Sequence, residues 1–402
     1  MYSLERLLNH FHLPHPHRRP TGLEALALNY TISQVAAGML ALFGVLFVFE
    51  LGKDLMGGLK LVLLFFGLQR VVVGLVVPLV AELISRTGYR WMMFIGLISL
   101  ALKAWILMQV TVNSLWLLGP ALVLGGIAIA GYYLGYHGIF LDDNDDTRIG
   151  EQVGLVTMSG RMALVVSPIL AGFLVDRFSF SVMFGVAMSL LIISLGPLFL
   201  MPHHERQSQK FSFKQAVKLA KRREFGGSVF WWYVENGIQA FFWPIFLFLV
   251  VGTHMTFGII ASIVMVLNSL AVYGAGKLYD KRRLRRVYPL ASGMVVVSFG
   301  LRFLASTTGL AGVADGLNRL VSPFWWMKIR RNALMMGEKV KAMVFAAAWE
   351  WVVTAGYLTA LTGGFLLLRW SGGQWLWLLL PVAVSVFLAM REGQKNEQKK
   401  TG

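Results

Sequence analysis

Apolar residues run along this chain in long stretches, each closed by a short polar interruption, and a helix needs roughly 20 consecutive apolar residues to cross a bilayer. The pattern predicts twelve spanning helices, at 25–50, 57–81, 91–111, 114–140, 151–175, 179–201, 226–251, 255–276, 287–306, 307–327, 341–367 and 373–390. The longest polar interruption, 202–224, divides them six and six. The expected architecture is all-α and integral to the membrane. Two six-helix bundles, 25–201 and 225–390, lie between cytoplasmic tails 1–24 and 391–402.

Composition narrows the class. With 56% hydrophobic and 14% charged residues over 402 positions, the chain is not an ordinary soluble domain. The absence of Cys excludes disulfides and thiolate metal sites. The stretch 1–20 is polar and rich in His and Pro, so no cleavable signal peptide is predicted. A net charge of +17 needs no nucleic acid to explain it. With the N-terminus inside, 27 of the 37 Lys and Arg fall in cytoplasmic segments and three, Lys53, Arg177 and Arg369, fall on the other side. Such a bias fixes the orientation and the even number of spans.

Within the linker 202–224, Phe213, Ala216, Val217 and Ala220 share one helical face and cations occupy the other. That reads as a helix lying on the anionic inner leaflet; a calmodulin-type target is the alternative.

The two halves also repeat a loop. The second copy, after the eighth span, has Gly276, Leu278, Asp280, Lys281 and Arg285; the first, after the second span, has Leu83, Arg86, Gly88 and Arg90, with Ala81 and Ser85 where the second has Gly and Asp. The physical logic is a helix end that must lie close to a neighbour, followed by charges that lock cytoplasmic ends together. These paired loops resemble the signature Gly-x-Leu-Ala-Asp-Arg-x-Gly-Arg-Arg of the major facilitator superfamily. That resemblance covers essentially the whole chain and implies two pseudo-symmetric bundles about an axis normal to the membrane. It further implies secondary transport by alternating access, with the loops 81–90 and 276–285 as cytoplasmic gates. In the fifth span, Gly154, Ala163, Ser167, Pro168, Ala171 and Gly172 resemble a degenerate form of the antiporter motif Gly-x8-Gly-x3-Gly-Pro-x2-Gly-Gly. Small residues at that spacing let a kinked helix pack against the opposite half as an outer gate; ordinary small-residue packing is the plainer account. The fourth span lacks the embedded Arg of the drug and proton antiporters.

Ionisable residues in hydrocarbon are costly and are functional candidates by default. Arg70, Arg161 and Arg319 lie near the middle of their spans; Asp315 is one turn from Arg319, and Gln239 one turn from Glu235. Glu350 stands between Trp349 and Trp351. Glu235 and Glu350 are the expected proton carriers, with Arg161 or Arg70 as counter-charge. Lys103 and Arg302 occupy corresponding spans in the two halves, the third and ninth, which the resemblance makes peripheral, so both are expected to snorkel to the headgroups. Pro244 and Pro323 are expected bending points.

Other polar groups are given plainer readings. Asp142, Asp143, Asp145 and Asp146 lack the spacing of a calcium loop and read as a solvated turn. His10, His12, His15 and His17 read as a tail rather than a metal site, and His137 as a hydrogen-bond partner of the loop beside it. No Walker loop, nucleophile triad or metal-ligand set is present, so neither a cofactor nor an enzymatic activity is expected.

The expected partners are the bilayer, a small solute and protons, in a bacterial-type plasma membrane. Cations in the spans, Arg70, Arg161 and Lys103, suit an anionic or zwitterionic solute, whereas Trp231, Trp232, Trp349 and Trp351 suit an amphipathic or cationic one. The expectation is export of an amphipathic compound, with uptake of an organic anion or nutrient as the alternative. A non-transporting scaffold or receptor of the same fold, or a lipid-modifying enzyme, are the readings from other classes.

Overall fold

The computed structural model describes residues 22–142, 149–200, 211–280, 284–337 and 340–401, and these are helical apart from short turns. The His-rich tail, the acidic turn after 142, the linker residues 202–210 and Lys281 lie outside the described residues, as does the side chain of His137. The first bundle contains α1 (Gly22–Glu50), α2 (Leu55–Thr87), α3 (Tyr89–Leu107), α4 (Leu118–Asp142), α5 (Ile149–Arg177) and α6 (Phe180–Leu200). A short α7 (Phe213–Ala220) follows. The seventh span joins α8 (Ser228–Gly237) to α9 (Trp243–Val251) through a π-helical turn, Ile238–Phe242. Then come α10 (His254–Asp280), α11 (Leu284–Phe303), α12 (Thr308–Gly337), α13 (Ala342–Trp370) and α14 (Leu379–Thr401).

Among the described residues, nine of these spans are long and apolar enough to cross a membrane. The three that fall short are α5, α11 and α12, each a helix where the sequence predicts a span. In α11 the apolar run is the shorter Val287–Phe303. In α12 the hydropathy is lowered by Asp315, Arg319 and Lys328, which packing inside the bundle shelters. Predicted ends fall short here and in the last span, since α12 continues to Gly337, past 327, and α14 to Thr401, past 390.

The turn between α2 and α3 shows what the signature loop demands. Gly88 has φ 88° and donates its N–H to Ile84 O at 2.8 Å, closing α2 in a conformation that costs a side-chain-bearing residue dearly. Ala81 is fully buried, as a close helix approach requires.

The prolines are handled by side chains from other helices. A proline inside a helix leaves the carbonyl four residues earlier without its donor, and in hydrocarbon no water replaces it. Pro78 frees Gly74 O, and Trp351 Nε1 of α13, in the opposite bundle, donates to it at 2.9 Å. Pro323 frees Arg319 O, and Asn268 Nδ2 of α10 donates to it at 3.3 Å. Pro244 is accommodated differently, by the π turn immediately before it.

The linker helix differs from expectation. Ser212 caps it by accepting from Gln215 N at 3.4 Å, and its buried residues are Ala216 and Leu219, turned onto the protein against α13 rather than toward lipid. Phe213 meets the indole of Trp351 edge-on at 5.2 Å. Lys214 and Lys218 are exposed on the outside of this helix.

Candidate functional site

The two bundles enclose a central cavity of about 390 Å³. From the first bundle, α2 supplies Gln69 and Arg70, α3 supplies Lys103, and α1 supplies Ser33 and Gln34; from the second come Asn236, Gln239, Asp315, Arg319 and Tyr357. Rings such as Phe66, Phe241 and Phe257 complete the wall. A cavity of this size with an apolar wall and a few fixed polar groups is the usual form of a small-molecule site.

Its electrostatics are built from helix to helix. Arg70 lies 4.0 Å from Glu350 across the bundle interface and rests over the Tyr357 ring at 4.2 Å. Tyr357 in turn donates its hydroxyl to Asn236 Oδ1 at 2.6 Å. Lys103 Nζ donates to Gln69 Oε1 at 2.9 Å and sits 5.2 Å from the Phe65 ring. In the second bundle Asp315 is held by Arg302, while Arg319 Nε stands 3.7 Å from the same carboxylate oxygen. Arg302 also donates to Gln239 Oε1 at 3.5 Å and lies over the Trp243 ring. Glu235 is buried behind this wall, with Oε1 lacking any hydrogen-bond partner among the described residues.

Two expectations are corrected. Arg302 is 0% exposed and Lys103 6% exposed, so neither snorkels to the headgroups. Each has a polar partner one helix away, and a paired cation inside the protein is cheaper than one dragged along lipid-facing surface. The signal was present in the sequence as matched charges in the third and ninth spans; the assumption that those spans are peripheral hid it. The Asp315–Arg319 pair forms, but the closer partner of Asp315 is Arg302.

On the outer side the bundles are sealed. His254, at the start of α10, places Nδ1 2.9 Å from Asp176 and Nε2 2.8 Å from Glu50, both in the first bundle. Asp176 also accepts the backbone N–H groups of His254 at 3.2 Å and Met255 at 2.7 Å, capping α10. Just below, Gly172 packs against His254 O and Gly258 against Pro168 O, with no room for a Cβ at either glycine. Ile169 N donates to Ser262 Oγ of α10 at 3.1 Å. Ala163, Ser167 and Ala171 are buried, Ser167 against Gly38 of α1, while Gly154 lies near the cytoplasmic start of α5. Sequence reasoning did not single out Glu50, Asp176 or His254, because each stands at the end of an apolar stretch where a charge looks unremarkable.

Toward the cytoplasm the central cavity is followed by a second, of about 520 Å³, lined by Arg161, Arg330 and several aromatic rings. Arg161 is therefore placed away from Glu235 and Glu350. In the first gate loop Arg86 pairs with Glu82 of its own helix at 2.9 Å, Ser85 Oγ donates to Glu82 O at 2.6 Å, and Arg90 lies 5.3 Å from the Phe199 ring. In the second, Gly276 lies near the end of α10, Asp280 ends it, and Arg285 begins α11.

Two helical bundles around a buried polar cavity, sealed at one membrane face, define a membrane transporter. The chain belongs to the Major Facilitator Superfamily, whose sequence pattern it matches over residues 26–326. No match was found among curated protein sequences. Among solved structures it is similar to the human organic anion transporter MFSD10 (TETRAN), with TM-score 0.65 and 13% identity over 94% of this chain and 100% of that one. It is also similar to a POT family transporter in complex with a thioalcohol-conjugated peptide, with TM-score 0.71 and 13% identity over 92% and 94% of the two chains.

Proposed function

We propose that this transporter is a proton-coupled carrier of an amphipathic organic anion, working by alternating access in a bacterial-type plasma membrane and catalysing no chemical reaction. The observation that carries the reading is the charge balance of the central cavity. Arg70, Lys103 and Arg319 line it; Arg70 faces Glu350 at 4.0 Å, and Asp315, the one carboxylate in the lining, is shared by Arg302 and Arg319, so Lys103 is the lining cation with no carboxylate opposite it among the described residues. Lys103 meets the neutral amide oxygen of Gln69 and the faces of Phe65 and Phe66. An anion supplies the missing charge, whereas a cation would enter against repulsion. An anion is also what the similar human transporter is described as carrying.

Glu235 gives the coupling its sign. It interacts with the charges of Arg302 and Arg319. Ionised, it competes with a bound anion for their positive charge; protonated, it leaves that charge to the substrate. Proton and anion binding then reinforce each other, which is the linkage of symport. Under an inward proton gradient the direction is uptake.

The close packing of α5 on α10 through Pro168, Gly172 and Gly258 favours a second reading, export in exchange for protons. The two predict opposite effects of protonation on substrate affinity. Proteoliposomes given radiolabelled aromatic carboxylates decide between them. Symport requires that acid outside accelerates uptake, and that Glu235→Gln, which mimics the protonated carboxyl, loses gradient-driven accumulation while keeping counterflow exchange. Unchanged gradient-driven uptake in Glu235→Gln removes Glu235 from the mechanism. Absence of flux for any carboxylate or amine tested returns the protein to a scaffold or receptor role.

A further inference from the structure

The cytoplasmic cavity holds two guanidinium groups that the central site does not use. Arg161 belongs to α5 of the first bundle and Arg330 to α12 of the second, and both line the same space of about 520 Å³. The like charges are close enough to interact. Among the described residues neither has a carboxylate within salt-bridge distance, and no lining residue is acidic. Two facing cations with no counter-charge among the described residues, in a partly enclosed space, attract an anion.

The walls say what kind of molecule that is. The first bundle contributes Tyr30 and Tyr136, stacked with centroids 4.6 Å apart. The second contributes Trp232 and Trp326, stacked at 5.5 Å and nearly parallel, with Trp349 edge-on to Trp232 at 6.1 Å. These faces accept a flat apolar body, and the arginine forks accept a carboxylate or sulfonate. The space lies within the range that encloses small organic molecules.

We propose that Arg161 and Arg330, with these aromatic walls, form a second binding site on the cytoplasmic side for an aromatic carboxylate or sulfonate, adjoining the central cavity, with which it shares Tyr133, Leu164 and Met265. It deepens the anionic reading of the substrate and rests on it. Because its two cations come from opposite bundles, an anion held there cancels a repulsion that opposes closure of the cytoplasmic side. The site therefore serves both as a waiting position for the solute and as a bridge that favours the occluded state.

The test uses the full chain in lipid nanodiscs, with 3,5-dinitrobenzoate as probe and 3,5-dinitrobenzamide as its uncharged counterpart. Nitroaromatics quench indole fluorescence; Trp232, Trp326 and Trp349 line the cytoplasmic cavity and Trp243 the central one, so the Arg→Gln and Lys103→Gln variants assign the quenching to each cavity while calorimetry counts equivalents. Two equivalents of the carboxylate are expected, with the amide much weaker at both. Arg161→Gln and Arg330→Gln should each weaken one equivalent about ten-fold or more, with loss of its quenching. Arg161→Lys should retain most of it, and Lys103→Gln should remove only the other equivalent. Retention of the central equivalent in the Arg→Gln variants shows that they are folded. Binding of one equivalent that only Lys103→Gln removes overturns the second site and leaves the central reading standing. Equal binding of acid and amide, or no saturable binding, overturns both.

Discussion

The bond from Trp351 to Gly74 permits a quantitative test of how the bundles are joined. Pro78 has no N–H to offer Gly74 O, and Trp351 Nε1 donates to it from the opposite bundle at 2.9 Å. Trp351→Phe removes that donor and keeps most of the ring. A buried carbonyl left unsatisfied costs about 1–3 kcal/mol in general, and helix–helix hydrogen bonds measured in membranes reach about 1.7 kcal/mol. With the site part-buried, about 1 kcal/mol is expected, a factor of about five in an equilibrium constant.

The decisive measurement is the cycle with Pro78→Ala. An alanine restores the N–H at 78, so Gly74 O is satisfied inside its own helix and the indole is no longer needed. The loss of ring area on Trp351→Phe is common to both backgrounds and cancels, leaving a coupling of about 1 kcal/mol. SDS titration in mixed micelles, followed by circular dichroism, reads it. Equal costs of Trp351→Phe in the two backgrounds would refute the claim that a proline-freed carbonyl holds the two bundles together here. The pair Asn268→Leu and Pro323→Ala forms a parallel cycle inside the second bundle, with the same expected sign.

Three further outcomes follow from the buried charges and the outer seal. Arg302→Met should destabilise by about 3–5 kcal/mol, because Asp315 is left buried against Arg319 alone, and adding Asp315→Leu should recover most of the loss in the same titration. For the seal, both ring nitrogens of His254 face carboxylate oxygens, so both must donate, and the bridge is complete only with the imidazolium and with Glu50 and Asp176 ionised. Raising external pH removes a ring proton and should speed labelling of Ala261→Cys, which lines the central cavity, by an impermeant thiol reagent; the chain has no Cys of its own, so the background is clean. In His254→Gln that pH dependence should vanish, and its persistence would exclude His254 as the group responsible. Gly172→Leu should hold the outer side open, since its Cβ has no space against His254 O; labelling of Ala261→Cys no faster than in the parent counts against the packing argument.

The fold was legible because two independent signals agree: apolar stretches of spanning length, and a cationic excess confined to alternate connections. The Gly88 turn and the buried Ala81 fit a need for space at a helix end in the first loop, whereas at Gly276 in the second a Cβ would meet nothing nearer than Met327 Cε at 4.0 Å. The site was legible only in part. Arg70, Glu350, Asp315, Arg319 and Gln239 can be found by asking which polar groups stand mid-span, and Arg70 meets Glu350 as a charge pair would. Lys103 and Arg302 answered the same question and were set aside, because sequence shows how deep a residue lies along its helix and not which way it faces. Azimuth is decided by packing, and a span whose polar residue must face a partner reveals the partner only in three dimensions.

The same limit explains the direction in which the functional reading moved. From sequence, tryptophans around Glu235 and Glu350 suggested a cation held by aromatic faces and acids. In the structure Glu350 faces Arg70, and Glu235 is buried behind the wall on the side of Arg302 and Arg319, so neither carboxyl lines the central cavity. The cations, in contrast, line both cavities, and of those tryptophans Trp232 and Trp349 line the cytoplasmic one beside Arg330. Counting charges in the spans gave the excess of positive charge, but only the pairing shows which charges remain to be met. On the proposed reading, protonating Glu235 and binding an anion relieve the same imbalance in complementary ways and so couple with positive sign, and that sign is what the vesicle experiment measures.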